Sequence, residues 1–198
     1  MPISTTQRQA EIVGAALSVI SRDGIGALTT RSLATELGLS EPIIYRYFEN
    51  KIQILAAVLD FIEERARAHI AGIMSKEATA LGRIEELYLQ TFRSFEKRPA
   101  LTTVIFSEEY FNDEALLSSK VSAIISTTED AIIRLLRTGI QEGEIRCTIP
   151  VEHLAVIIMG TMRFLVVRWR LSNRSSDLVA VAATYFISFH TLITGSTT

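Results

Sequence analysis

The chain is poor in the residues that build covalent or metal-held frameworks. Among its 198 residues there is one cysteine, Cys147, so no intrachain disulfide can form, and the usage fits a reducing cytoplasm. The three histidines, His69, His153 and His190, are far apart and lack ligand spacing, so no metal site is expected. Four prolines and no low-complexity run argue against a long linker. There is no continuous apolar stretch of the ~20 residues a membrane helix needs. The densest run, residues 154–167, is broken by Thr161 and Arg163, and the N-terminal segment lacks the layout of a secretory signal, so a protein with no membrane partner is expected. No alternating strand pattern is present, and hence no strand-borne glycine-rich phosphate loop. The acidic pairs Glu108-Glu109 and Asp113-Glu114 read as a solvated face and a helix cap rather than an acid–base couple. Neither an enzyme nor a bound cofactor is expected.

What is present is helical periodicity, with 48% apolar and 21% charged residues, in a length that suits one large or two small domains. The most informative stretch is residues 29–51, TTRSLATELGLSEPIIYRYFENK. Thr29 suits an N-cap, Leu33, Ala34 and Leu37 share one helical face, and Gly38 suits a left-handed C-cap. Leu39 reads as an apolar plug and Ser40 as the next N-cap, with Pro42 in the first turn of a second helix. Ile44 and Phe48, four apart, point inward. Two short helices around a glycine-containing turn form a helix-turn-helix, whose second helix can lie in the major groove of DNA. Ser40, Tyr45, Tyr47 and Lys51 can donate to phosphate oxygens, and Thr29, Thr30 and Arg31 sit at a helix start that favours an anion. Arg46 can pair with guanine and Ile43 can touch a thymine methyl. Over residues 1–51 the charges balance, so a local face of Arg31, Arg46 and Lys51 would have to carry the attraction, with a modest salt slope.

The order Thr29, Leu33-Ala34, Gly38-Leu39-Ser40, Tyr45, Phe48, Lys51, Leu55 resembles the tetracycline-repressor-like (TetR/AcrR) family of bacterial regulators. The run Glu142-Gly143-Glu144-Ile145-Arg146 is a second point of resemblance. The resemblance implies a first helix that braces the reader, phosphate contacts at Thr29, Tyr45, Tyr47 and Lys51, and base contacts at Glu41, Pro42, Ile43 and Arg46. Pro42 and Ile43 depart from the small or polar residues usual there, which points to a more apolar, shape-based readout. It also implies a double-stranded DNA operator and a ligand-responsive repressor.

The expected fold is all-α, with an N-terminal three-helix helix-turn-helix head, a C-terminal helical bundle body and about nine helices. The expected domains are 1–55 for DNA binding and 56–198 for effector binding and dimerisation. Helices are expected at 6–23, 51–74 (capped by Asn50), 79–97, 99–111, from a cap at Asp113 to 143, 151–172 and 176–193. The fourth belongs to both domains, and at ~1.5 Å per residue it is a rod of about 35 Å. Helices eight and nine are apolar on more than one face, which calls for burial all round and hence a homodimer through a four-helix bundle. Val166 and Phe189 are the expected interface positions. Tyr88, Phe92, Phe95, Phe106, Tyr110 and Met159 are candidates to line a pocket for a small apolar effector. Arg163, read as buried, would need a partner such as Glu108, an acid across the dimer or a ligand carboxylate. The alternatives are a DNA-binding regulator with no small-molecule effector, or an α-helical enzyme or carrier.

Overall fold

The computed structural model describes residues 5–107, 111 and 113–195. Among these the fold is all-α: α1 (Thr5–Asp23), a 3-10 turn (Ile25–Ala27), α2 (Thr30–Leu37), α3 (Glu41–Tyr45), α4 (Lys51–Met74), α5 (Ala80–Lys97), α6 (Ala100–Ile105), α7 (Ala115–Gln141), α8 (Val151–Leu171) and α9 (Leu178–Thr194). The helices sort into two compact units, residues 1–65 with 98–124, and 66–97 with 125–198. Two of the three boundaries fall inside a helix, α4 and α7, and the third follows the end of α5.

In the first unit α1 packs on α2, on the 3-10 turn and on α6, and α2 packs on α3. Its core is made where the sequence puts apolar residues at helical spacing: Ile12, Ala16, Val19 and Ile20 of α1, Leu33 of α2, Ile44 of α3, and Ile54, Val58 and Leu59 of α4. Leu28 is fully buried just before α2. The sixth helix is shorter than expected. Thr102, Thr103, Val104 and Ile105 are four β-branched residues in a row, which lose side-chain freedom against the preceding turn. The helix ends at Phe106, whose φ of −106° and ψ of 24° are not helical. α7 starts at Ala115, with the Leu117 and Ser118 N–H groups bonded to the Glu114 carbonyl, one residue later than an Asp113 cap would place it.

In the second unit α5 packs on α9, and α8 on α9. Helix starts are held by acids that accept otherwise unpaired N–H groups, where the helix dipole also favours negative charge. The Glu96 carboxylate accepts from Leu178 N–H at 2.7 Å and Asp177 from Ala180 N–H at 2.8 Å, so α9 is capped by Asp177 and begins two residues later than expected. At α5, the Thr79 hydroxyl accepts from Gly82 N–H at 3.1 Å and Glu144 from Leu81 N–H at 3.0 Å. The chain can return to that end because Gly139 has no side chain: a Cβ there would stand 2.7 Å from Ile145 Cδ1 and 3.3 Å from Ala80 Cβ. Tyr88, Phe92 and Phe186 are buried together, with the Tyr88 ring edge-on to Phe92 at 4.9 Å and tilted on Phe186 at 5.4 Å.

Candidate nucleic-acid interface

The helix-turn-helix is held by bonds within a few residues. Thr29 Oγ1 accepts from Ser32 N–H at 2.9 Å, and Ser32 Oγ accepts from Thr29 N–H at 2.9 Å, a reciprocal capping box at the start of α2. Gly38 closes α2 at φ 64° and ψ 33°, a left-handed conformation that strains residues with a Cβ. Leu39 N–H then bonds back to the Ala34 carbonyl at 2.8 Å. Ser40 has the backbone of an N-cap, yet its side chain makes no capping bond. The exposed hydroxyl is therefore still able to meet another group.

Across the two helices, Thr30 Oγ1 lies 3.1 Å from the Glu41 carboxylate and 3.3 Å from the Tyr45 hydroxyl. One threonine thus gathers two candidate contact residues of α3 against the start of α2. Tyr45 is 52% exposed, far from the buried aromatic packing that would make it purely structural. Pro42 is exposed and Ile43 half-buried on the same short helix. Arg46 donates to the Tyr47 hydroxyl at 3.0 Å and lies over its ring at 5.1 Å. Lys51 Nζ donates to the Ile25 carbonyl at 3.0 Å, and partial burial pulls its pKa below the ordinary lysine value.

The balanced charge of the first 51 residues is resolved by pairing. Arg8 bonds Glu11 at 2.6 Å, and Arg22 bonds Asp23 at 2.9 Å and Glu36 at 3.1 Å. Arg31, Arg46 and Lys51 have no carboxylate partner among the described residues. The cations of the reader are thus unneutralised while those of α1 are spent on acids, a distinction that composition alone does not carry.

The candidate effector residues are brought together only in part. Tyr88, Phe92 and Phe95 form a continuous aromatic row in the second unit, with Phe92 and Phe95 edge-on at 6.5 Å, and Phe186 extends it to Phe189 at 6.1 Å. Burial raises the Tyr88 pKa strongly, and Tyr185 adds to the rise. Phe186 was not foreseen; its i, i+4 relation to Ala182 and its place in an unusually apolar helix were the available signals. Met159 is half-buried in the same unit, whereas the half-buried Phe106 belongs to the first unit. Tyr110 and Glu108 lie outside the described residues. Arg163 is exposed within the protomer, next to Phe164, on a face of α8 that points away from the protomer core, so it is not a cation of that core. Val166 overturns its assignment to the dimer interface, because it is fully buried inside the protomer. Among the described residues no group of His, Cys, Asp and Glu could hold a metal ion, and no helix is long and apolar enough to cross a membrane.

Comparison with known proteins agrees with this arrangement. Residues 12–58 match the model for bacterial regulatory proteins of the tetR family, and residues 58–195 match that for the C-terminal region of YsiA-like proteins. The nucleoid occlusion factor SlmA of Haemophilus influenzae (strain PittGG) is 30% identical over 162 residues, 79% of this chain and 74% of that protein. A TetR transcriptional regulator from Chloroflexus aurantiacus superposes with a TM-score of 0.78 at 26% identity, covering 94% of this chain and 96% of that one. The regulator FadR from Bacillus subtilis, solved in complex with stearoyl-CoA, has a TM-score of 0.79 at 24% identity, covering 93% and 98%. The paired helices of the reader, its cations without acid partners and the helical body therefore have a common explanation: the chain belongs to the TetR family of bacterial regulatory proteins.

Proposed function

We propose that the chain is a ligand-responsive transcriptional repressor in the cytoplasm that binds a palindromic double-stranded DNA operator as a homodimer. The carrying observation is the trio Arg31, Arg46 and Lys51, without acid partners on the helix-turn-helix while the cations of α1 are paired with acids. Thr29, Thr30, Arg31, Ser40, Tyr45, Tyr47 and Lys51 position the reader on phosphates, which orients without specifying sequence. Pro42, Ile43 and Arg46 meet base edges. Glu41 acts by holding Thr30, and so sets the angle between α2 and α3. Residues 1–55 serve as the DNA-binding domain, and 56–198 serve effector binding and dimerisation.

The dimer forms through the outward faces of α8 and α9. Val156, Ile157, Phe164, Tyr185, Ile187 and Leu192 are large apolar residues left exposed on these two helices. A set of this kind is rare on the surface of a monomer unless it marks an interface. The effector is a small, mainly apolar molecule received by the aromatic row around Tyr88, Phe92 and Phe95. A fatty acyl thioester is a reasonable first probe, because one structural neighbour was solved with such a ligand.

A second reading, a DNA-binding protein with no small-molecule effector, is favoured by the likeness to nucleoid occlusion factors and by the close packing of the aromatic row. One pair of measurements separates the two. Selection of genomic fragments with the purified protein yields the operator; operator affinity is then measured with and without candidate effectors. By linkage, an effector that weakens operator binding must itself be weakened by operator to the same factor. Equal effector affinity with and without DNA would show a passenger ligand and leave the second reading standing. Failure to select any fragment would remove both.

A further inference from the structure

An open cleft of about 420 Å³ in the second unit is lined by Arg67 of α4 and by Thr127, Asp130, Ile133, Arg134 and Arg137 of α7. The α7 residues 127, 130, 134 and 137 recur at three- and four-residue steps, so they form one stripe along a single face. We propose that this cleft is an oxyanion site that takes a small phosphate ester carrying a hydroxyl or amine beside its phosphate, an activity separate from the DNA contacts and from the aromatic row.

Charge is the first argument. Three guanidiniums share one cleft with a single carboxylate, Asp130, in a protein whose net charge is −2. Glu152 offsets Arg137 at 2.7 Å and Arg67 has a partner of its own, whereas Arg134 has no ion pair or side-chain hydrogen bond among the described residues. An anion that meets two guanidiniums at once is attracted by both. All three cations are arginine rather than lysine. The planar guanidinium fork pairs two oxygens of one phosphate at once, which a lysine ammonium does not.

Size and the remaining lining define the ligand further. The volume lies within the range of small-molecule sites, ~300–1,000 Å³, and well above the ~30 Å³ of a water-sized occupant. Ile133 supplies an apolar patch for the carbon skeleton and Thr127 a hydroxyl. Asp130 would repel a bare phosphate, so the ligand must present a donor there. A sugar phosphate or a nucleotide has this combination of groups, and a simple carboxylate does not.

The test is calorimetric titration of the intact protein with inorganic pyrophosphate, ribose 5-phosphate and acetate. Wild type is expected to bind ribose 5-phosphate most tightly, pyrophosphate more weakly because it offers Asp130 no donor, and acetate at least about tenfold more weakly than ribose 5-phosphate, because a monocarboxylate uses one fork where a phosphate ester uses two. Arg67→Gln and Arg134→Gln should each weaken pyrophosphate binding by roughly tenfold, the scale of one charge-assisted hydrogen bond at an accessible site. Glu152→Gln should strengthen it, because Arg137 is then released. Asp130→Asn should weaken ribose 5-phosphate relative to pyrophosphate. These are exposed positions, and unchanged thermal unfolding would verify that each variant still folds. The proposal falls if ribose 5-phosphate does not bind, or binds the Arg67→Gln/Arg134→Gln double variant as well as wild type. It also falls if those substitutions spare pyrophosphate but weaken operator binding, which would make the arginines a DNA-backbone contact. Acetate binding as tightly as ribose 5-phosphate would overturn the phosphate assignment.

Discussion

Arg46 and Lys51 both lie in the reader, but their surroundings set different roles. Arg46 rests on the Tyr47 ring and hydroxyl, contacts weak enough to exchange for a guanine edge when DNA arrives. Arg46→Ala should cost ~1–3 kcal/mol on the operator and relax preference at one base pair per half-site. If specific and random DNA lose the same factor, Arg46 is a phosphate contact only. Lys51 already gives one N–H to the Ile25 carbonyl, which aims the ammonium while leaving two donors. Lys51→Ala should weaken all operator variants about equally, as gel-shift titration across a mutated-operator series would show. His69 makes a separate prediction. Its Nε2 is buried with no hydrogen-bond partner among the described residues, and desolvation lowers its pKa; Glu86 opposes this and Lys76 reinforces it. A base with a lowered folded-state pKa binds fewer protons folded than unfolded. The stability it contributes is therefore complete above the unfolded value of about 6.5 and is lost as pH falls from there through the folded pKa. Thermal unfolding midpoints should drop on acidification across that window, and His69→Leu should flatten this part of the profile. An unchanged profile would assign the acid sensitivity to other groups.

At the scale of elements, each helix is placed by its ends as much as by its apolar stripe. α2 carries the reciprocal Thr29–Ser32 cap and the Gly38 stop, so its eight residues need not rely on length for stability. The approach of the Ile145 segment to α7 depends on Gly139 in the same way. Gly139→Ala would improve helix propensity by roughly 1 kcal/mol. The added Cβ would stand 2.7 Å from Ile145 Cδ1 and close to Ala80 Cβ, so overpacking opposes that gain. We expect a net loss of about 0–2 kcal/mol, the ~1–3 kcal/mol of a crowded core less that gain, because Ile145 and Ala80 are both buried and cannot easily yield. Denaturant unfolding would measure it, and a more stable variant would show that the Ile145 side chain turns aside freely.

At the scale of the whole molecule, α8 and α9 carry two apolar faces with different duties. Leu154, Ile158, Leu165 and Val166 are buried within the protomer, while Phe164 is 61% and Ile187 57% exposed. Phe164→Glu and Ile187→Glu should give a folded monomer by sedimentation, with helical content retained. Val166→Glu should instead unfold the protomer, since an unpaired charge in a packed core costs several kcal/mol. A monomeric wild type at micromolar concentration would remove the dimer reading. If the Phe164 and Ile187 variants stay dimeric, the interface lies on another face.

Much of this protein follows from local chemistry and was therefore readable in the chain. Thr29, Gly38 and Asn50 act through bonds to residues three to five positions away, and Asn50 Oδ1 does accept from Gln53 N–H at 2.9 Å. Such short-range caps, together with the 3.6-residue period, specify the helices and the helix-turn-helix without reference to the rest of the fold. The early end of α6 was legible in principle, in its β-branched run. What the tertiary structure decided is which of several equivalent faces points inward. α8 is apolar nearly all round, so its sequence cannot distinguish Val166, which is buried, from Phe164, or place Arg163 on the exposed side. The pairing of Arg22 with Glu36, 14 residues away, is of the same kind, and it is that pairing which leaves the reader's own cations unneutralised. Periodicity determines that a face exists; only packing between distant segments determines what that face meets.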